Sequence, residues 1–521
     1  MCLTSEAPVV PVVALVVETG LGGSDPSTSS VHGVGDLLQA ALENLARGTE
    51  WELAWVDVVM ATYGGEVAEG PGAAGGVYCQ RLRLGGGQGW QDGDAAVGGQ
   101  SACASLYSAL AALGGWLLKR AGGSAPVLVI HVTGGGFRYC ADVERAAGTL
   151  KMACDFRGAP GVFYNILVGS DAGLVFPASG GIPDGAAGVV KSLHRMASPV
   201  GEWGASILGK LGAACTPGGR YFEAVPTAGT SLVFRFAGRF LSEAVKDGRA
   251  AIEDGVRACA FVAPKEGEMI DKCEDVVSMH QNRRRFAVSD GATTASYSAE
   301  WARALCRHAV ESPPPALRGA GCELSEEDVT EDAGRLRLWL ERALEYWTPE
   351  VPWERLVRPA VFNKAKEGSG ASLAGIELLD ARADEGVRFR AWALGDSCVI
   401  QLRGNQVFSS KPMDTSARFS HVPTLLMTAP GYEAKYVRFW QSWESVLAPG
   451  DLVLLGTDAL CEYILRTFES GGGGEILAWL NDLSSDSGLD GWGRFEDFVG
   501  ARRKDGQMKN DDVGLIIVEA R

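Results

Sequence analysis

The sequence has few histidines and no long apolar run, and each absence argues against a class of protein. Six histidines occur among 521 residues, none within helical reach of another, which argues against a zinc site built from histidines. No apolar stretch approaches the roughly 20 residues that a membrane-spanning helix needs. The stretch Val9–Val17 is short, contains Pro11 and lacks a basic flank, so it predicts a strand rather than a signal peptide. We therefore expect no membrane association.

Basic residues are scarce relative to acidic ones. The chain has 48 Lys and Arg against 64 Asp and Glu, a formal net charge of −16. This balance repels phosphate backbones, so we expect no nucleic-acid partner. The 12 cysteines are scattered from Cys2 to Cys461 with no CxxC pair, and most lie in apolar patterns. Reduced, packed thiols and a cytoplasmic location are the simplest expectation.

The length and composition predict two globular domains. A chain of 521 residues exceeds what one hydrophobic core normally uses, and its 46% hydrophobic and 21% charged residues are typical of folded proteins. A charged helical connector lies between about Ala244 and Ala258. We place the boundary there and predict domains 1–250 and 251–521.

The first half alternates short apolar runs with amphipathic helices. Runs such as Val12–Val17 and Pro126–Val132 are rich in Val, Ile and Leu, and Ser101–Lys119 has a helical pattern. This alternation predicts a mostly parallel sheet covered on both faces, a doubly wound α/β domain. Ligands of such folds bind at the carboxyl ends of strands, here the loops after Val17 and Val132.

At those loops the first half resembles the von Willebrand factor A domain. That family carries Asp-x-Ser-x-Ser after its first strand and Thr-Asp-Gly after a later one, where this chain has Glu18-Thr19-Gly20-Leu21-Gly22 and Thr133-Gly134-Gly135. The resemblance implies a degenerate metal site that retains Glu18, Ser101 and Thr133. A hard cation needs several oxygen ligands, so we expect little or no metal there. Alternatively, Glu18 is an ordinary polar strand end.

The second half changes to short strands with a few long helices between them. Examples are Asp275–Met279, Cys398–Arg403 and Leu452–Gly456. This texture predicts an α+β domain, a β-sandwich flanked by helices. The acidic segment Glu323–Asp332 follows a proline run, and we expect it to be a mobile surface excursion.

Acidic residues recur at the strand ends of the second half. They stand in five places: Glu274-Asp275, Asp290-Gly291, Gly395-Asp396, Thr457-Asp458 and Asp511-Asp512. One such acid is usually a cap or turn residue. Five in one domain repel one another unless a cation lies between them, and their oxygen ligands favour Mg²⁺ or Mn²⁺ over zinc.

This series resembles the metal-dependent protein phosphatases of type 2C, over essentially all of Cys259–Arg521. The resemblance implies that Asp290 bridges two Mg²⁺ or Mn²⁺ ions and that Gly291 offers its carbonyl. It also implies the remaining roles: Asp458 and Asp511 as further ligands, Glu274 and Asp275 as holders of metal-bound water, and Asp396 as the acid that recruits a third, weaker ion in bacterial members. The catalytic residues would then be Asp290, Asp458 and Asp511. The implied reaction is hydrolysis of a phosphoprotein by a metal-activated water.

The chain departs from that family at two positions. Ala292 replaces a histidine proposed as general acid in animal relatives, and Ile270 stands near the expected phosphate-binding arginine. Lys272, Arg283 or Arg284 would substitute for that arginine, or these are solvated strand-end charges.

We therefore expect a serine/threonine protein phosphatase whose first domain recruits the phosphoprotein substrate or a cognate kinase. The alternative is a non-catalytic scaffold, a pseudophosphatase in a bacterial signalling or stress-response module. The oligomeric state stays open.

Overall fold

A computed structural model describes part of the chain. The described residues are 12–18, 56–63, 77–82, 106–119, 127–135, 143, 146–148, 150–151, 161–170, 174–177, 181–183, 186–198, 200, 202–215, 219–226, 232–233, 236–237, 240, 256–268, 272–280, 284–293, 295–318, 323–351, 353, 363, 368–382, 386–420, 422–485 and 491–520. The chain divides into two compact units, one comprising 1–118, 124–155 and 159–247 and the other 119–123, 156–158 and 248–521.

The first unit is built on a seven-stranded sheet. Its strands are β1 (Val12–Glu18), β2 (Val56–Tyr63), β3 (Val77–Leu82), β4 (Val127–Thr133), β5 (Gly161–Val168), β6 (Leu174–Val175) and β7 (Phe222–Val225). Their order is β3-β2-β1-β4-β5-β7-β6, and only the edge strands β3 and β6 run antiparallel to their neighbours. The predicted mostly parallel sheet is therefore present. The sequence pattern of residues 34–47 also predicts a helix, and these residues lie outside the described part of the chain.

Helices cover both faces of this sheet. The described helices are α1 (Leu106–Lys119), α2 (Gly188–Met196) and α3 (Glu202–Lys210). Successive side chains of a strand point to opposite faces. Accordingly, Ile166 of β5 packs in one core with Ile207 of α3, while Leu167 packs in another with Leu193 of α2.

The second unit contains two five-stranded antiparallel sheets and a two-stranded ribbon. Its strands are β8 (Val256–Ala263), β9 (Asp275–Met279), β10 (Arg285–Asp290), β11 (Gly370–Ala371), β12 (Leu373–Arg382), β13 (Gly386–Leu394), β14 (Cys398–Arg403), β15 (Gln406–Lys411), β16 (Leu426–Met427), β17 (Gln441–Leu447), β18 (Leu452–Gly456) and β19 (Val513–Ala520). The sheet orders are β17-β13-β12-β10-β9 and β15-β14-β18-β19-β8, and β11 pairs with β16. The two sheets face each other closely, because a Cβ on Gly514 of β19 would lie 3.1 Å from Val277 Cγ1 of β9.

Helices pack outside both sheets of the second unit. They are α4 (Ser298–Glu311), α5 (Glu326–Trp347), α6 (Glu433–Phe439), α7 (Asp458–Glu469), α8 (Gly473–Ser485) and α9 (Gly491–Lys504). Trp301 of α4 is fully buried, and its indole donates to the Leu426 carbonyl at 2.8 Å. On the other sheet, Phe261 of β8 stacks on Phe495 of α9 with ring centroids 5.2 Å apart. The predicted helix-flanked sandwich is thus the observed architecture of this unit.

The acidic segment expected to be a mobile excursion is instead the start of α5. Ser325 caps the helix in a capping box with Asp328, whose carboxylate accepts a hydrogen bond from the Ser325 amide at 3.0 Å. Asp332 is fully buried and accepts from the Arg318 amide at 2.9 Å. The expectation of mobility was wrong because acidic side chains in the first turn stabilise a helix through its dipole and through capping. Among the helices described, none has both the length and the apolar content needed to cross a bilayer.

Candidate metal centre

The antiparallel topology of the second unit brings the predicted acids to one end of the sandwich. Asp275 begins β9 and Asp290 ends β10, and the two face each other across the strand pair. Asp396 lies in the turn from β13 to β14. Asp458 follows β18, and Asp511 precedes β19, which pairs with β18. Since the end of one antiparallel strand adjoins the start of the next, acids distant in sequence share this end.

Three of these acids lie close enough to share one cation. Asp290, Asp396 and Asp458 each offer a carboxylate oxygen, and these oxygens all lie within 4.8 Å of one another. Each side chain is half-buried. Carboxylates at this spacing repel one another unless some of them are protonated or a cation lies between them.

Buried serines fix Asp290 relative to Asp396. The Ser372 amide donates to the Asp290 carbonyl at 2.9 Å, and the Asp290 amide donates to Ser372 Oγ at 3.1 Å. The hydroxyls of Ser372 and Ser397 are 2.5 Å apart. Gly395 has φ +102°, and a Cβ there would lie 2.6 Å from Ser372 Cβ, so only glycine fits this turn. The two acid-bearing loops are thereby held together without using the carboxylates.

Gly291 lets Asp290 approach the Glu274 loop. The Gly291 amide donates to the Glu274 carbonyl at 3.2 Å. A Cβ on Gly291 would lie 2.9 Å from the Ser298 carbonyl oxygen and 3.1 Å from the Glu274 oxygen. The Glu274 carboxylate in turn accepts from Ser298 Oγ at 2.6 Å. The Asp-Gly pair is therefore a packing requirement as well as a ligand motif.

Asp458 is positioned by the start of α7. Its Oδ1 accepts from the Ala459 amide at 2.6 Å. The preceding Thr457 exchanges two bonds with Gly514 of β19: its amide donates to the Gly514 carbonyl at 3.2 Å, and its Oγ1 accepts from the Gly514 amide at 2.8 Å. These bonds align the end of β18 with the start of β19.

Asp511 has a different environment from the other predicted ligands. Its Oδ1 lies 3.1 Å from the ammonium of Lys265, which follows β8. Lys265 also lies 3.9 Å from Glu274 Oε2 and donates to Thr293 Oγ1 at 3.3 Å. The sequence reasoning did not identify Lys265, because its partner is 246 positions away and no local pattern marks it.

Asp512, which we assigned no role from the sequence, ties the loops of the centre together. It is 3% exposed, and its two oxygens accept from the amides of Lys265 and Glu274, both at 2.8 Å. Arg503 of α9 supports the same loop through a 2.7 Å bond to the Pro264 carbonyl. Asp512 is therefore an anchor for backbone rather than a free carboxylate.

The centre disfavours ionised carboxyls in the absence of a cation. Burial, reinforced by neighbouring acids, raises the pKa values of Asp275 and Asp290 well above the ordinary range. Burial also raises the pKa of Asp458 and, with help from the Asp458 charge, raises that of Asp396 to about 7. Lys265 shows the opposite balance: burial opposes its charge, but the bond to Asp511 prevails and raises its pKa.

The donor set fits a hard divalent cation. Asp275 Oδ2 and Asp396 Oδ1 are buried without a hydrogen-bond partner in the described part of the chain. Buried polar atoms are normally paired, so orphaned carboxylate oxygens beside a cluster of acids fit the binding of a cation. Oxygen-only ligands suit Mg²⁺ or Mn²⁺.

Cation affinity should depend on pH through Asp396. With a pKa of about 7, this carboxyl is mostly protonated at pH 6 and must lose its proton to bind a cation. We expect Mn²⁺ affinity, measured by isothermal titration calorimetry, to rise about tenfold from pH 6 to pH 8. Asp396→Asn should bind more weakly and show a smaller dependence on pH, because the raised pKa values of Asp290 and Asp458 remain. An affinity in the native chain that is unchanged across this range would contradict the assignment.

Of the predicted substrate-binding cations, Arg284 lies away from the acids. Lys272 is exposed, and Arg283 lies outside the described residues. The Arg284 guanidinium donates to the carbonyls of Leu378 and Leu379. Arg284 immediately precedes β10 while Asp290 ends it, which separates them by a strand length at about 3.3 Å per residue.

The loops of the first unit bring together two residues of the predicted degenerate site. Glu18 ends β1 and Thr133 ends the neighbouring parallel strand β4. Glu18 Oε2 accepts from Thr133 Oγ1 at 2.6 Å and from the Gly134 amide at 2.9 Å. Ser101 lies outside the described residues. The resemblance to a von Willebrand factor A domain, and the lack of tight metal binding there, stay predictions.

Comparison with known proteins gives a likeness in solved structures only. No protein-family model matches the chain, and no curated protein does. PppA of Pseudomonas aeruginosa is 18% identical with a TM-score of 0.30, covering 51% of this chain and 98% of that one. The Mycobacterium tuberculosis serine/threonine phosphatase PstP/Ppp is 14% identical with a TM-score of 0.32, covering 51% and 99%. The catalytic domain of PstP in complex with 2 manganese ions is also 14% identical, with a TM-score of 0.30 and coverage of 51% and 97%. Serine/threonine phosphatases are thus among the structural neighbours of about half the chain. Sequence identities and TM-scores this low carry no conclusion about function.

Proposed function

We propose that the second unit is a divalent-cation-dependent phosphatase acting on phosphoserine or phosphothreonine in proteins. The observation that carries the proposal is the convergence of Asp290, Asp396 and Asp458, from three separate strand ends, with carboxylate oxygens within 4.8 Å. A cation held by these acids would offset the negative charge of a phosphoryl group, which is why we choose phosphoryl transfer. The type 2C resemblance implies two ions at Asp290, Asp458 and Asp511, and a third at Asp396.

The chain's own residues hold and orient the reacting groups in this proposal. A divalent cation, when bound, lowers the pKa of a water and neutralises charge on the phosphoryl group. Asp290, Asp396 and Asp458 would hold it, and the Ser372–Ser397 contact fixes their loops. The orphaned Asp275 Oδ2 is available to accept a proton or hydrogen bond from water. No side-chain nucleophile is needed.

The proposal is tested by phosphate release from a phosphoserine or phosphothreonine peptide. The full chain should release inorganic phosphate with Mn²⁺ and should stop on addition of EDTA, with recovery when Mn²⁺ is returned. A small aryl phosphate serves as a second substrate that makes no peptide contacts. Failure to hydrolyse either substrate in a folded, Mn²⁺-loaded chain would contradict the enzyme assignment.

A non-catalytic scaffold is the second candidate. It is favoured by the Lys265–Asp511 ion pair, which engages one of the acids needed for catalysis. The replacements at Ile270 and Ala292 point the same way. Under this reading the chain binds a phosphoprotein without turnover, and the peptide assay would show binding but no phosphate release.

We also propose that the first unit selects protein partners, either the phosphoprotein substrate or a cognate kinase. Its support is that Glu18 Oε2, an oxygen that a metal site at this sheet edge would use, already accepts hydrogen bonds from Thr133 and Gly134. We therefore assign this edge to protein contact rather than to metal binding. A cytoplasmic location is part of the proposal. It accords with the lack of a disulfide bond among the six cysteines whose side chains the structure describes.

A further inference from the structure

One positively charged side chain enters the acidic centre. The Lys265 ammonium contacts Asp511 Oδ1 at 3.1 Å and Glu274 Oε2 at 3.9 Å, and its side chain is only 22% exposed. The neighbouring Lys509 is instead paired with Glu462 at 2.6 Å. Lys265 is therefore placed to neutralise the Asp511 side of the centre.

The backbone of Lys265 is fixed independently of its ammonium. Its amide donates to Asp512, the next amide, of Glu266, donates to Asn510 Oδ1 at 2.8 Å, and Arg503 holds the Pro264 carbonyl. These three contacts hold the Lys265 loop against the loop that carries Asp511 and against α9. Because the Lys265 backbone is fixed in this way, the ion pair with Asp511 is not the only interaction that keeps its ammonium in the centre.

An ammonium at Asp511 competes with a divalent ion for the same carboxylate, because the two positive charges repel each other. A Mg²⁺ or Mn²⁺ ion lies about 2.0–2.2 Å from its oxygen ligands. Sharing the Asp511 carboxylate with Lys265 would place two cations within about 5 Å of each other, where like charges repel. Asp290, Asp396 and Asp458 form no ion pair with a Lys or Arg in the described part of the chain. The Lys509 charge acts on Asp396 and Asp458, but its ammonium pairs with Glu462.

We propose that the Lys265 ammonium takes the place of the second divalent ion, so that the centre binds one ion tightly at Asp290, Asp396 and Asp458. This inference rests on the proposed function because it concerns the same centre. It changes the expected composition from two tightly bound ions to one ion and one built-in organic cation. Lys265 is a positioning residue here, since it acts through Asp511 and Glu274.

The test is calorimetric titration of Mn²⁺ into the full chain and three variants at one pH. The native chain should bind one tight equivalent, with any second ion at least about tenfold weaker. Lys265→Gln should tighten the second ion by about tenfold or more, because it removes a competing charge. Lys265→Arg should retain the native stoichiometry. Lys504→Gln removes one exposed positive charge at the end of α9 and should match the native chain.

The outcomes separate this inference from the phosphatase proposal. A native chain that binds two equally tight ions and hydrolyses phosphopeptide would overturn the role of Lys265 and leave the phosphatase proposal standing. Equal second-site affinities in Lys265→Gln and Lys504→Gln would also overturn it. A native chain that binds no Mn²⁺ would contradict both. The stoichiometry of the native chain is decisive even if Lys265→Gln folds poorly.

Discussion

Replacing Asp290 with asparagine should reduce phosphate release by at least about a hundredfold in kcat/KM, since even outer partners of a metal site contribute about 10–100-fold. Asp290 shares a candidate cation site with Asp396 and Asp458, so its loss removes charge where the cation would bind. The metal-free chain should keep or gain thermal stability, because the substitution relieves repulsion among buried acids. Phosphopeptide hydrolysis and thermal unfolding in EDTA measure the two effects.

Asp505→Asn provides the matched control for that variant. Asp505 is exposed just after α9, so its substitution removes the same charge away from the centre. Activity in this control should remain native. An Asp290→Asn chain that keeps more than a tenth of native activity would show that the reaction does not depend on the three-acid cluster.

Replacing Gly291 with alanine should destabilise the second unit by about 1–3 kcal/mol and weaken Mn²⁺ binding. The new Cβ would lie 2.9 Å from the Ser298 carbonyl carbon and oxygen, and neither backbone atom can rotate away as a side chain would. Relief of the clash must move the end of β10, the start of α4 or the Glu274 loop. The end of β10 and the Glu274 loop carry predicted ligands. Urea unfolding and Mn²⁺ titration measure the two consequences.

Gly334→Ala is the control for the glycine substitution. Gly334 is exposed in the interior of α5, and a Cβ there meets nothing within 4 Å. Alanine should therefore stabilise this helix by up to about 1 kcal/mol. Equal stability changes for the two variants would mean that the close approach at Gly291 is not rigid.

The strands that the sequence predicts well are the buried ones. Asp275–Met279, Cys398–Arg403 and Leu452–Gly456 have the predicted bounds, because apolar runs end there at acids and glycines that break the pattern. The strands β15 and β17 were missed. Both are polar and lie at the edges of their sheets, so only one side of each is paired and the hydrophobic signal is weak.

The candidate site was predictable as a set of acids but not as an arrangement. Acids next to strand-ending glycines mark the loops, and the antiparallel topology explains why they meet. The contact between Lys265 and Asp511, and the two backbone bonds accepted by Asp512, join positions more than 200 residues apart. Periodicity and spacing carry no information about such pairs, since they report only on neighbours in sequence.

The position of β19 has a consequence for how the second unit forms. This strand lies between β18 and β8, so the first strand of the unit joins its sheet only through a strand that follows every other described element. Contacts of such long sequence separation slow folding, because a long loop must close before they form. The contact between Lys265 and Asp511 therefore forms only after β19 has joined the sheet, whereas Asp290, Asp396 and Asp458 lie beside other strands and can meet before it.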